Sequence, residues 1–146
     1  MPAEWERQQS TLMGWPYNKN DWPGKFNNIP KIFAEIISKI TKSQKVNLLI
    51  NNHKSKSIIK KLLKKNKARV RNVKFIICET DRVWMRDIGP IFVKDKKNQN
   101  ILLNWEFNGW ARYKNYRADN RVNLRIKDHY KGNVINPEFD KKSIVL

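Results

Sequence analysis

The 146-residue chain carries 31 Lys and Arg against 13 Asp and Glu, a formal net charge of +18, with 40% hydrophobic residues and a single cysteine. That is material for one ordinary domain with a sizeable core, and six tryptophans among the aromatics supply bulk to fill it. The lone cysteine excludes an intramolecular disulfide framework and fits a reducing compartment. No apolar stretch approaches the roughly 20 residues that span a bilayer, and the start, Met1-Pro2-Ala3-Glu4-Trp5-Glu6, lacks the basic-then-apolar pattern of a signal peptide. The chain reads as cytoplasmic.

Taken in order, the pattern alternates between strands and helices. Thr11 to Trp15 is a short apolar run ended by Pro16, and Trp22-Pro23-Gly24 marks a loop. After Pro30, well placed in a first helical turn, Ile32, Phe33, Ile36, Ile37 and Ile40 recur at spacings of three and four and predict an amphipathic helix to about Ser43. Val46 to Ile50 reads as a buried strand. Ile58, Ile59, Leu62 and Leu63 predict a second helix over Ser57 to Lys65, with lysines opposite. Val73 to Cys78 is the next strand, and Pro90 to Val93 and Ile101 to Phe107 pair as a hairpin across the polar Asp95 to Asn100. Asp119 is expected to cap a last helix from about Asn120 to Tyr130, ended by Gly132-Asn133. Val134-Ile135 and Ile144 to Leu146 are short closing strands. Mixed strands and helices without a clear linker or sequence repeat favour one α/β unit over residues 1–146.

The charge is unevenly spread. Lys31 to Phe75 holds fourteen Lys and Arg against Glu35 alone, while Met1 to Pro30 and Ile76 to Trp110 are each balanced. The lysines are interleaved with isoleucine and leucine at helical spacing rather than with exposed aromatics able to stack on bases. The face therefore reads as solvated, and nucleic acid is not an expected partner.

The most informative segment is Thr80-Asp81-Arg82-Val83-Trp84-Met85-Arg86-Asp87-Ile88-Gly89-Pro90-Ile91-Phe92, a turn between two apolar runs that sets tryptophan, arginine and aspartate together. A carboxylate beside an indole suits a flat cation. Guanidinium donates two parallel N–H bonds to the acid while its plane lies against the ring. Asp87 and Trp84 are the candidates. Arg86, which would repel a cationic ligand, is expected to form a structural ion pair, and Asp81 a turn-forming role.

These residues carry a resemblance. Trp84-x-Arg86-Asp87-x-Gly89-Pro90-Ile91-Phe92, with Met1-Pro2-Ala3-Glu4-Trp5-Glu6, Gly14-Trp15-Pro16, Trp22-Pro23-Gly24-Lys25 and Phe107-Asn108-Gly109-Trp110, resembles in order the amino-terminal part of the agmatine deiminase and bacterial peptidylarginine deiminase family. The resemblance implies the pentein fold, an α/β-propeller of five β-β-α-β repeats, of which about the first two would lie here. It implies hydrolysis of a guanidine to a ureido group with loss of ammonia, agmatine to N-carbamoylputrescine in one branch. In that chemistry a cysteine thiolate attacks the guanidinium carbon, histidine activates the water, and carboxylates hold the cation.

Only Asp87 is matched among the family's catalytic-site residues. The histidine and aspartate pair, the glutamate of a Glu-Gly-Gly element and the nucleophilic cysteine are expected beyond Leu146, so the chain resembles a front portion, inactive alone and open to complementation by a C-terminal portion or to homo-oligomerisation. A non-catalytic binding module and a basic nucleic-acid-binding domain are the alternatives. Trp110 lies in a block resembling the agmatine-type branch, and no arginine pair is matched there to grip a peptide carboxylate, although Arg112 is close by. The expected substrate is therefore a small guanidine such as agmatine, with Trp110 beside Asp87 and Trp84 in its pocket. Trp15 and Trp22 read as packing residues.

Cys78 ends the run Phe75-Ile76-Ile77 and reads as a small buried hydrophobe rather than a nucleophile. His53 and His129 have no Cys, Asp or Glu at metal-ligand spacing, and the five glycines form no phosphate loop. No metal or cofactor is expected.

Overall fold

The computed structural model describes residues 3, 5–130 and 132–145. Their contacts divide into two compact units, one of residues 8–83 and one of residues 1–7 with 84–146.

In the first unit the apolar run at the start becomes strand β1 (Ser10–Gly14), followed through loops by helix α1 (Ile29–Ile40). Pro30 stands in its first turn, where the missing N–H removes no helical bond. The helix stops earlier than the periodicity predicts, because Thr41 takes the C-cap and Gln44 N–H turns back to Ile40 O. Strand β2 (Lys45–Ile50) and helix α2 (His53–Lys65) follow. α2 begins four residues before the expected Ser57, since Asn52 accepts from Ser55 N–H at 2.9 Å and supplies the cap. Strand β3 (Val73–Ile77) closes the unit.

The three strands form a parallel sheet ordered β1-β2-β3, with Met13 opposite Leu48 and Leu48 opposite Phe75. A parallel sheet needs crossovers, and α1 and α2 provide them. Their apolar stripes bury Ala34, Ile37, Ile59 and Leu63 against Val46, Leu48 and Ile50. Trp15 belongs to this core, while Trp22 meets Phe26 and Phe33 ring to ring, so both act in packing as expected. Cys78 is 2% exposed and its N–H donates to Ile50 O at 3.0 Å, one residue past β3.

In the second unit the deiminase-like turn is a short helix, α3 (Met85–Ile88), leading into β4 (Ile91–Lys94). β4 and β5 (Asn100–Leu103) pair antiparallel, the hairpin read from the sequence, with Val93 opposite Ile101. Between them Asp95 Oδ1 accepts from the N–H groups of Lys97 and Gln99 at 2.8 and 2.7 Å. β5 is shorter than predicted because the chain beyond Leu103 turns to other partners. Asn104 N–H reaches Ile135 O, and Phe107 N–H reaches Asn120 Oδ1.

The last helix departs from expectation. Asp119 does not cap it; Ala118 holds that position, and Asp119 opens a 3-10 turn to Arg121 with its side chain buried. Helix α4 (Val122–Ile126) and a second 3-10 turn, Lys127–His129, complete it, so the continuous helix to Tyr130 is three short pieces. β6 (Asn133–Ile135) then adds parallel to β5. Gly132 makes this approach possible, since a Cβ there would lie 2.1 Å from Asn100 O.

An unforeseen hairpin, β7 (Glu138–Phe139) with β8 (Lys142–Ser143), follows, and Val145 bridges to Glu106. Met1, Pro2 and Glu4 of the opening block, and Leu146 of the final strand, lie outside the described residues. Glu6 of that block receives Lys94 Nζ at 3.2 Å and Ala3 N–H at 3.1 Å; the Ala3 N–H and then Lys94 hold its carboxyl below the usual range. No described helix is long and apolar enough to cross a membrane.

Candidate functional site

Asp87 and Trp84 are brought together by α3. Trp84 stands at the N-cap with φ −78° and ψ 69°, and its carbonyl accepts from Asp87 N–H at 3.0 Å and Ile88 N–H at 3.2 Å. The turn is anchored by Ile88, 3% exposed, and ended by Gly89, whose N–H reaches Met85 O at 2.9 Å. Its polar side faces outward: Trp84 is 47% exposed and Arg86 is exposed, while Asp87 is half-buried.

The Asp87 carboxylate makes no hydrogen bond or ion pair among the described residues. A turn-stabilising acid would spend its lone pairs on a neighbouring N–H, as Asp95 does. An unspent acid at a half-buried position, three residues from an outward indole on the same turn, can accept both N–H groups of a guanidinium edge. Arg86 forms no ion pair among the described residues either, contrary to expectation: its side chain is exposed, and no described carboxylate lies within ion-pair distance.

Trp110 is positioned by a different device, one that sequence reasoning missed. Gly109, Trp110 and Ala111 all have left-handed backbones, with φ +68°, +55° and +54°. Left-handed geometry costs a non-glycine residue of the order of 1 kcal/mol. Asn108 Oδ1 stabilises it by accepting from Ala111 N–H at 3.0 Å, and Gly109 O accepts from the N–H groups of Arg112 and Tyr113, each at 3.0 Å. The Asn108-Gly109 dipeptide is the turn signal that could have revealed it.

The result is a ladder of rings: Trp110 meets Phe107 edge-on, centroids 4.9 Å apart at 89°, and Tyr113 at 6.0 Å. Phe107 is buried, whereas Trp110 remains 42% exposed. Arg112 lies over the Tyr113 ring at 5.5 Å. No ring contact or hydrogen bond joins Trp110 to Trp84 or Asp87 among the described residues, so of the three expected site residues the structure groups two and leaves Trp110 on its own strained turn.

In the first unit the residues just before the turn are tied down. Tyr17 Oη donates to Thr80 O, Asn51 Nδ2 donates to the same carbonyl at 3.3 Å, and Arg82, 5% exposed, approaches Asp21 at 3.9 Å. Asp21 also accepts from Asn18 Nδ2 at 3.1 Å. Burial pushes the Asp21 carboxyl above the usual carboxylate range, Arg82 pulling it down and Asp81 adding to the rise. Neither His53 nor His129 joins a group of three or more His, Cys, Asp or Glu able to hold a metal among the described residues.

The comparisons agree with the motif. The family model described as Porphyromonas-type peptidyl-arginine deiminase matches residues 1–144. A Mycoplasma capricolum protein provisionally named an agmatine deiminase is 33% identical over 114 residues, covering 78% of this chain and 29% of its own length. A Yersinia pseudotuberculosis protein of the same provisional name is 28% identical over 137 residues, covering 90% and 35%. The chain thus spans about a third of the length of these curated relatives.

Among solved structures, one described as a peptidyl-arginine deiminase superposes with a TM-score of 0.75 at 28% identity, over 92% of this chain and 39% of the other. The C. jejuni agmatine deiminase with substrate bound does so with 0.74 at 24%, over 91% and 38%. These likenesses establish the α/β fold as the corresponding part of the pentein fold of the deiminases. With its motif blocks, its fold and nearly its whole length matched, the chain belongs to the Porphyromonas-type peptidyl-arginine deiminase family.

Proposed function

We propose that this chain supplies the guanidine-recognising part of an agmatine deiminase-like hydrolase, one that converts a guanidine to a ureido group with release of ammonia. Asp87 accepts the guanidinium N–H groups and Trp84 flanks the cation's plane, while Trp110, which has no ring contact or hydrogen bond with either among the described residues, offers its exposed ring to the alkyl stem. The observation that carries this reading is the half-buried Asp87 carboxylate, which has no protein partner among the described residues and lies in a four-residue helix capped by an outward tryptophan. Both compact units belong to one deiminase domain acting in the cytoplasm.

The preferred substrate is a small guanidine such as agmatine. The chain alone binds without turning over, since its one thiol is buried in the first unit's core region, away from water, where it is neither nucleophile nor base. Calorimetric or NMR titration with agmatine and with putrescine, which keeps the amine and alkyl stem but lacks the guanidinium, tests the reading. Agmatine is expected to bind measurably tighter. Equal binding of the two would place recognition on the amine and overturn the role given to Asp87.

A further inference from the structure

A second feature lies on the other unit, at the carboxyl ends of α1 and α2. A groove of about 380 Å³ is lined there by Glu35, Ser38, Lys39, Lys42, Asn66 and Lys67. The lining holds three lysines against one carboxylate, and Lys39, Lys42 and Lys67 form no ion pair among the described residues. Glu35 is itself drawn to Lys31 on the preceding turn, at 3.9 Å.

Lysines at helix C-termini ordinarily complement the helix dipole and need no other explanation. Here that task is done by other groups. Asn66 Nδ2 donates to Leu62 O at 2.8 Å, Asn72 Nδ2 to Thr41 O at 2.8 Å, Thr41 Oγ1 to Ser38 O at 3.2 Å and Arg69 Nη1 to Lys42 O at 2.9 Å. The lysines are left over. Lys67 is also held where glycine is the default: it ends α2 in a left-handed conformation, φ +59°, with its N–H on Lys64 O and Ala68 N–H on Leu63 O. A strained backbone thus adds a third cation to a pair that already repel each other.

We infer that this groove is a phosphate-binding site. Tetrahedral oxygens would bridge the three ammonium groups, with the Ser38 hydroxyl and Asn66 amide as neutral partners. The exposed Lys64 and Lys65 precede Asn66 and Lys67 in the chain, and the exposed Arg69 reaches Lys42 O with its Nη1, so further cations flank the lining residues and a phosphodiester backbone fits the surface better than a single small anion. Backbone contacts need no stacking aromatics, which answers the sequence argument against such a partner. The groove, rather than the diffuse charge, is what distinguishes a site from a solvated face.

The test compares two variants of equal charge, both checked for folding by circular dichroism. Lys39→Gln/Lys42→Gln/Lys67→Gln empties the groove, and Lys54→Gln/Lys60→Gln/Lys61→Gln removes the same charge from the outer face of α2. Binding of a fluorescein-labelled single-stranded oligonucleotide is followed by anisotropy across salt, and inorganic pyrophosphate is titrated separately against backbone amide shifts of Lys39, Lys42 and Lys67. The groove variant is expected to lose about tenfold more affinity for the oligonucleotide than the outer-face variant, with a shallower salt slope. Groove-dependent binding of pyrophosphate as tight as that of the oligonucleotide would assign the site to a free phosphorylated compound. Equal losses in the two variants, or no binding by the wild-type chain, would overturn the inference.

Discussion

The Asp87 N–H donates to the Trp84 carbonyl at 3.0 Å, fixing carboxylate and indole on one short helical turn. The relationship makes the pair a unit: neither side chain is needed to hold the turn, which rests on backbone bonds and on buried Ile88. Substitutions at the two positions should therefore separate binding from folding.

Trp84→Ala is expected to leave thermal stability nearly unchanged, because the side chain is 47% exposed and substitutions at such sites shift stability by about 0.5 kcal/mol or less. Guanidine binding should weaken by about 0.5–2 kcal/mol, the range of a cation–π contact. Denaturant melts alongside agmatine titrations check both parts. A variant that unfolds would return Trp84 to the core.

The two constrained glycines of the second unit should rank in a definite order. Gly109→Ala adds left-handed strain and presses a Cβ to 3.2 Å from the Tyr116 Cβ and Cδ1, a crowding that a shift of a few tenths of an ångström relieves. Gly132→Ala drives its Cβ to 2.1 Å from the Asn100 carbonyl, which is part of the sheet and cannot. The first is expected to cost about 1–2 kcal/mol and the second more, with β6 detaching from β5. Chemical denaturation of both variants, with amide exchange at Val134, tests the order.

Asp21 gives a pH dependence whose sign is fixed by burial. Its carboxyl is raised in the folded state, so the folded chain binds a proton more tightly there than the unfolded chain does. That contribution to stability is present at low pH and is lost as pH rises from the ordinary carboxylate range through the raised folded value. Wild type should therefore lose stability relative to Asp21→Asn as pH increases across that window. Unfolding free energies of the two proteins as a function of pH give the difference curve, and a flat or opposite curve would show that the Arg82 pairing outweighs burial.

Incubated with agmatine, the purified chain is expected to release no ammonia. Activity that survived Cys78→Ser would show that groups other than the lone thiol are sufficient. Activity abolished by Cys78→Ser, without loss of fold, would make the buried thiol a nucleophile.

Much of the fold was legible because its signals are periodic and local. Ile32 to Ile40 at helical spacing built α1, and the two apolar runs flanking the polar Asp95 to Asn100 connection built the β4–β5 hairpin. The failures occurred where a single side chain or a tertiary bond decided the outcome. Asn52 started α2 early, the Phe107 N–H left β5 for Asn120, and Asp119 went into the interior instead of a cap. At the site, the Trp-x-Arg-Asp spacing placed Trp84 and Asp87 together. The left-handed turn under Trp110 and the freedom of Arg86 are conformational facts that residue types alone do not encode.

The most direct test of the guanidine-recognising role is the agmatine affinity of Asp87→Asn, which keeps the shape of the side chain and removes its charge. The account predicts binding weakened by about 1.5–3 kcal/mol, the value of a charge-assisted hydrogen bond, with a melting temperature close to that of the wild type. Unchanged affinity in a folded variant would contradict it.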